Sequence, residues 1–164
     1  MTLDSAAEAS ARLAIIAEAR SWIGTPYHYG ARVKGPQGGV DCALLLAEVY
    51  ARAGAVPAIP TPQPYPPADL PLHRTAEGYV RTVLEHAREI AGPPEGPAPL
   101  PGDVVIWKWA RAFWHAGIVT AWPLMIHASA NQPVQEASAE QRGRLTVHEG
   151  QPRPRKFFRL SIFA

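Results

Sequence analysis

The sequence is poor in cysteine: Cys42 is the only one among 164 residues. A single thiol excludes an internal disulfide framework and any zinc site built on several cysteines, so the fold has to stand on packing. An excess of charge of one sign is lacking too. Lys and Arg number 16 against 14 Asp and Glu, a net charge of +2. That balance makes no case for a nucleic-acid partner, which needs basic residues gathered into a footprint. Long apolar runs are absent, so the sequence predicts no membrane span. The first eight residues, MTLDSAAE, carry Asp4 and Glu8 and no Lys or Arg, whereas an export signal opens on a basic stretch. The expectation is cytoplasmic synthesis without a signal peptide.

What the chain does have is apolar residues, 47% against 18% charged. That is enough to bury the core of one domain, in a chain too short for two ordinary ones. It also has proline, 18 of 164 residues or 11%, about twice ordinary usage. Twelve of the 18 fall in two stretches, 57–71 and 93–101.

Ser5-Ala6-Ala7-Glu8 reads as a capping box that opens a helix to about Trp22, stopped by Gly24 and Pro26. Residues 24–40, rich in Gly and Pro, read as an ordered surface loop. Asp41 then caps CALLLAEVYARAG, with Gly54 as the stop. Its apolar positions run nearly all round the helix, which predicts a buried one. The seven prolines of 56–72 exclude a helix or a central strand. That stretch is expected to lie on the domain as an extended arm anchored by Tyr65, Leu70 and Leu72. Thr75 is expected to cap a further helix to Ala91, so that arm and helix form an insertion over about 56–101. After Gly102 the pattern changes to short β-rich segments at 103–109, 116–122, 124–129, 144–148 and 156–162. Helices followed by a run of strands predict an α+β fold with an antiparallel sheet of about five to six strands.

Cys42 opens the buried helix, where the positive end of the backbone dipole favours a thiolate and Asp41 opposes it. On position alone a lone cysteine reads as a small core residue. A base changes that reading. His115 and His127 are 12 residues apart on two consecutive predicted strands, a spacing at which a hairpin sets both rings on one face. A neutral imidazole there can take the thiol proton while a second polar group fixes its orientation. His73, His86 and His148 have no partner at metal spacing, so no metal and no cofactor are expected. His28 is expected in solvent, Trp107 in the core, and Trp109 and Trp114 along a cleft. Arg142, Arg144, Arg153, Arg155, Lys156 and Arg159 read as a solvated face.

These pieces resemble the NlpC-type papain-like cysteine peptidases of bacterial cell walls. The resemblance is carried in order by Gly24-Thr25-Pro26-Tyr27 with Tyr29-Gly30, by Asp41-Cys42, by Pro101-Gly102-Asp103-Val104-Val105, by His115-Ala116-Gly117-Ile118-Val119 and by Ile126-His127-Ala128-Ser129. It implies a papain-like fold with Cys42 as nucleophile, His115 as general base and acid, and His127 orienting His115. Tyr27 and Asp41 would stand beside them on the substrate and oxyanion side. Cys-Ala-Leu-Leu-Leu-Ala-Glu-Val-Tyr and the Pro-rich Tyr-Pro segment resemble the phage tail-assembly or tail-tip branch. That branch implies a peptidoglycan peptide as substrate and other tail proteins as partners. Three departures bear on the cleft wall: Ala43-Leu44 follow the cysteine where the family usually has Ser-Gly, Ala31 replaces a glycine, and the loop to Asp41 is longer. Two other functions stay open, a non-catalytic tail-assembly protein that keeps the fold, and an amidase or acyltransferase on another substrate.

Overall fold

A computed structural model describes residues 3–69, 78–143 and 145–163. Helix α1 (Ser5–Ser21) starts one residue earlier than the capping box implies. Asp4, not Ser5, is the N-cap, and its carboxylate accepts from the Ala6 and Ala7 N–H groups. Both residue types cap well, and the upstream one takes the role. Helix α2 (Cys42–Arg52) buries every residue from Cys42 to Tyr50. The one acid in that run, Glu48, is neutralised by Arg32 and by Arg52, the latter at 2.7 Å. Between the helices, the loop carries a small ladder of β1 (Arg32–Val33) and β2 (Gly39–Val40).

Helix α3 (Gly78–Leu84) ends sooner than expected. Residues Ala87–Ile90 form strand β3 instead, paired antiparallel with β10 (Arg155–Leu160). The helical spacing of Leu84, Ala87 and Ala91 loses to sheet pairing with a distant strand. Close approach supports that outcome, because a Cβ on Gly92 would lie 2.2 Å from the Phe157 ring. Thr75, Leu70 and Leu72 lie outside the described residues. The main sheet has six antiparallel strands in the order β3-β10-β4-β5-β6-β7, with β4 (Val104–Trp109), β5 (Ala112–Ala121), β6 (Leu124–His127) and β7 (Gln135–Ser138). Strand β7, sequence QEAS, has no alternating apolar pattern to announce it. In the expected strand 144–148 only Val147–His148 pairs, as β8 with β9 (Gln151–Pro152), and residue 144 lies outside the described residues.

One face of the sheet, with Val104, Ile106, Ala116, Ile118 and Ile126, packs on α2 through Leu44, Leu45 and Leu46. The other face holds a smaller cluster of Val105, Trp107, Val119, Met125 and Phe157. The late basic residues are not a plain solvated face. Arg159 grips the fully buried Asp103 carboxylate at 2.9 Å, and Arg12 reaches the same group at 3.1 Å. Arg155 pairs with Glu140 and lies over Trp122, and Lys156 pairs with Glu89. Among the described residues no helix is long and apolar enough to cross a membrane.

Candidate active site

The site is built where the N-terminus of α2 meets the backbone of β5. Asp41 caps the helix by accepting from the Leu44 N–H at 2.9 Å. Its other oxygen accepts from the Gly30 N–H at 2.9 Å and from the Tyr65 hydroxyl at 2.8 Å. Cys42 follows, 7% exposed, and its thiol donates to the Trp114 carbonyl at 3.6 Å. A bulge sets this contact. The β4–β5 register passes from Trp107↔His115 to Lys108↔Phe113, which leaves Trp114 as the extra residue. Such bulges bend a strand and re-aim its side chains.

His115 and His127 come together as the hairpin spacing implies. Continuing the Ile118↔Ile126 register sets Gly117 opposite His127, so the two histidines are diagonal neighbours on one face. His115 Nε2 and His127 Nδ1 are 3.0 Å apart, with the rings edge to face. Gly117 lets Met125 pack close beside the pair, since a Cβ there would lie 2.4 Å from Met125 Sδ and 3.5 Å from His127 Cβ. The thiol is not hydrogen-bonded to His115. The two residues share the lining of one cavity of about 500 Å³, together with Tyr27, Tyr29, Trp109 and Trp114.

Burial and the neighbouring Asp41 carboxylate push the Cys42 thiol up to about 12, against the pull of the Ala116, Ala43 and Cys42 backbone N–H groups. Of the two opposed influences on the helix-start thiol, the helix end loses, because desolvation of the anion adds to the Asp41 charge. Burial, and then His127, lowers His115 to about 3. Burial lowers His127 to about 4. Burial therefore favours the neutral thiol and the neutral imidazoles. Burial, followed by the charges of Cys42 and Asp41, raises the Tyr27 phenol, so it stays a hydroxyl donor. Asp41 is raised by burial, which hydrogen bonds from Leu44, Gly30, Tyr65 and Ala43 oppose.

Trp109 and Trp114 line the cavity and Trp107 is 1% exposed in the core. His28 is exposed. Among the described residues no group of three or more His, Cys, Asp or Glu could hold a metal ion. Sequence reasoning gave no site role to Ser129 and Asn131, which also line the cavity. It also missed the role of Tyr65, which it took only as an arm anchor. For Ser129, the signal was its place two residues after His127.

The family model of the NlpC/P60 family matches residues 24–147. Among solved structures, the NlpC/p60 domain of the peptidoglycan hydrolase SagA matches with a TM-score of 0.51 at 20% identity, over 88% of this chain and 96% of that one. The peptidoglycan hydrolase RipB from Mycobacterium tuberculosis matches with a TM-score of 0.60 at 18% identity, over 99% of this chain and 69% of that one. NlpC1 from Trichomonas vaginalis gives 0.58 at 18% identity over 89% of this chain, which spans 42% of the Trichomonas chain. At these identities the likeness is one of fold, the papain-like α+β arrangement with its six-stranded antiparallel sheet. No curated protein matches the sequence.

Proposed function

The chain belongs to the NlpC/P60 family, and from that membership and the site geometry we propose that it is a cysteine peptidase hydrolysing amide bonds in peptidoglycan stem peptides. One observation carries the reading: His115, held by His127 at 3.0 Å, lines the same cavity as Cys42 at a helix N-terminus. His127 holds Nε2 of His115, which leaves Nδ1 as the nitrogen to take the thiol proton. The reading requires the Cys42 sulfur to leave the Trp114 carbonyl for that nitrogen; such contacts commonly tighten only when substrate binds.

The steps then follow as acyl transfer. The thiol proton passes to His115 as sulfur attacks the amide carbonyl carbon, and the Cys42 backbone N–H and Tyr27 hydroxyl face the developing oxyanion. His115 returns the proton to the departing amine, leaving a thioester on Cys42. Water, deprotonated by His115, attacks that thioester and releases the acid and the thiol. His127 keeps the ring in the tautomer and orientation both halves need. No cofactor enters.

The same reading assigns the protein to a phage tail or prophage tail-like particle acting at the cell wall. Its support is the sequence resemblance of Cys42–Tyr50 and of the Pro-rich Tyr-Pro segment to the tail branch. Absence of the chain from purified tail particles by mass spectrometry would overturn that assignment. One observation favours the rival, a tail protein that keeps the fold without the activity: the thiol is engaged with a carbonyl and its pKa is raised. Muropeptide mass spectrometry decides between them. Wild-type protein should release new peptide products from purified peptidoglycan and Cys42→Ala none; identical digests mean the structural role.

A further inference from the structure

The Pro-rich segment after α2 is held to the body of the protein at two places. Arg32 Nη1 donates to the Ile59 carbonyl at 2.9 Å and to Thr61 Oγ1 at 2.8 Å. The Tyr29 hydroxyl donates to the Pro66 carbonyl at 2.7 Å, and the rings of Tyr29 and Tyr65 meet edge to face at 5.2 Å. Between these anchors the Tyr65 hydroxyl reaches Asp41 Oδ2 at 2.8 Å. Gly30 completes the arrangement. Its φ of +73° is one that glycine adopts without strain, and a Cβ there would lie 3.4 Å from the Tyr65 ring. Tyr65, Asp41 and Cys42 line one narrow crevice that shares Tyr27, Tyr29 and Trp114 with the larger cavity.

We propose that Tyr65 is a positioning residue for Cys42 that acts through Asp41, its hydroxyl taking up part of the carboxylate charge that otherwise bears on the thiol. The inference rests on Cys42 being the nucleophile. Asp41 Oδ1 accepts from Leu44, and Oδ2 accepts from Gly30 and Tyr65, so the carboxylate is the form these donors fit. Its charge is what opposes ionisation of Cys42 beyond burial itself. The other groups around the thiol are neutral. They are the Tyr27 and Tyr29 phenols from the preceding loop, and His115 on β5 with His127 behind it on β6. Asp69 bears on the Tyr29 phenol. Without the Tyr65 donor, Oδ2 loses one of its partners and more of its charge reaches the sulfur.

The test is the rate of iodoacetamide alkylation against pH, which reads Cys42 alone because the chain has no other cysteine. Tyr65→Phe should slow alkylation about tenfold at every pH below the thiol pKa, a shift of about one pH unit in the profile. In an Asp41→Asn background the same substitution should change nothing further. Thr61→Val, which loosens the segment away from Asp41, should leave the profile in place. A fluorinated tyrosine at position 65 keeps the ring and strengthens the donor, so alkylation should speed up; this arm stands even where Tyr65→Phe folds poorly. A Tyr65→Phe profile that superimposes on wild type, moves to lower pH, or shifts equally in the Asp41→Asn background overturns the inference. No peptide is needed for this measurement, so it can fail while the peptidase reading stands, and the reverse.

Discussion

Two helices of this protein begin in the same way and do different things. Asp4 and Asp41 both hold extended backbone, at φ −70°, ψ 167° and φ −101°, ψ 177°, and both accept from N–H groups of the first turn. Asp4 is exposed and, among the described residues, its carboxylate bonds within its own helix. Asp41 is 1% exposed and ties its helix to the Gly30 loop and to Tyr65. Burial turns a local stop signal into a junction of three segments. It also turns the junction's charge onto the next side chain, because buried charges are poorly screened. A serine follows one cap and a cysteine follows the other.

The largest effect should come at the residue that distinguishes the two helix starts. Cys42→Ala should abolish release of muropeptides, whereas Ser5→Ala, at the matching position of α1, should leave the rate at wild type. His115→Ala should lower kcat/KM by about a thousandfold, the scale of a lost general base. Residual turnover near wild type in either site variant would mean that the two helix starts are chemically alike.

Stability should separate the caps next. Asp41→Ala removes a cap and strands the donors of Gly30 and Tyr65 in a partly buried junction. The cost should be about 3 kcal/mol, from about 1 for the cap and about 1 for each donor left unpaired. Urea unfolding followed by circular dichroism measures it. A loss no larger than that of Asp4→Ala would mean that the junction is decoration.

Which of these features the sequence could reveal depended on how local each one is. Helix α2 and its cap are written in consecutive residues, and the His115–His127 pair follows from a spacing of 12 along one hairpin. Strands β3 and β7 are not legible in that way. Ala87–Ile90 becomes a strand because Phe157–Leu160 arrives beside it, and Gln135–Ser138 because Leu124–His127 offers an edge. The Tyr65–Asp41 bond depends on where a proline-rich segment folds back, 24 residues away. The direction of the Cys42 shift was lost for a different reason. Helix position is visible in sequence, but the desolvation that overrides it appears only once β5 closes over the thiol.

The histidines give an effect of middle size, and its sign follows from their burial. Each is held neutral in the folded protein, His115 lowered from 6.5 to about 3 and His127 to about 4. In the unfolded chain each takes up a proton once the pH falls below about 6.5. The unfolded state therefore binds more protons across that window. The stability present above pH 6.5 should be lost as the pH falls, until the folded values near 4 and 3 are reached. His127→Asn removes one of the two groups and keeps a polar partner for His115. Its urea midpoint should decline less between neutral and acid pH than that of wild type. Parallel declines would mean that His127 is protonated in the native state.

The smallest effect sharpens the comparison most, because it asks whether capping alone separates the two aspartates. Asp4 serves Ala6 and Ala7 through a single oxygen, at 3.1 and 2.9 Å. A serine hydroxyl can do the same work, and Ser and Asp cap about equally well. Asp4→Ala should therefore cost about 1 kcal/mol and Asp4→Ser only a few tenths. At Asp41 a serine can still reach the Leu44 N–H, but it has no second oxygen for Gly30 and Tyr65. Asp41→Ser should then stay close to Asp41→Ala in unfolding free energy, while Asp4→Ser stays close to wild type. If serine restores both positions equally, Asp41 is a cap like Asp4, and the Gly30 and Tyr65 contacts contribute nothing measurable to the fold.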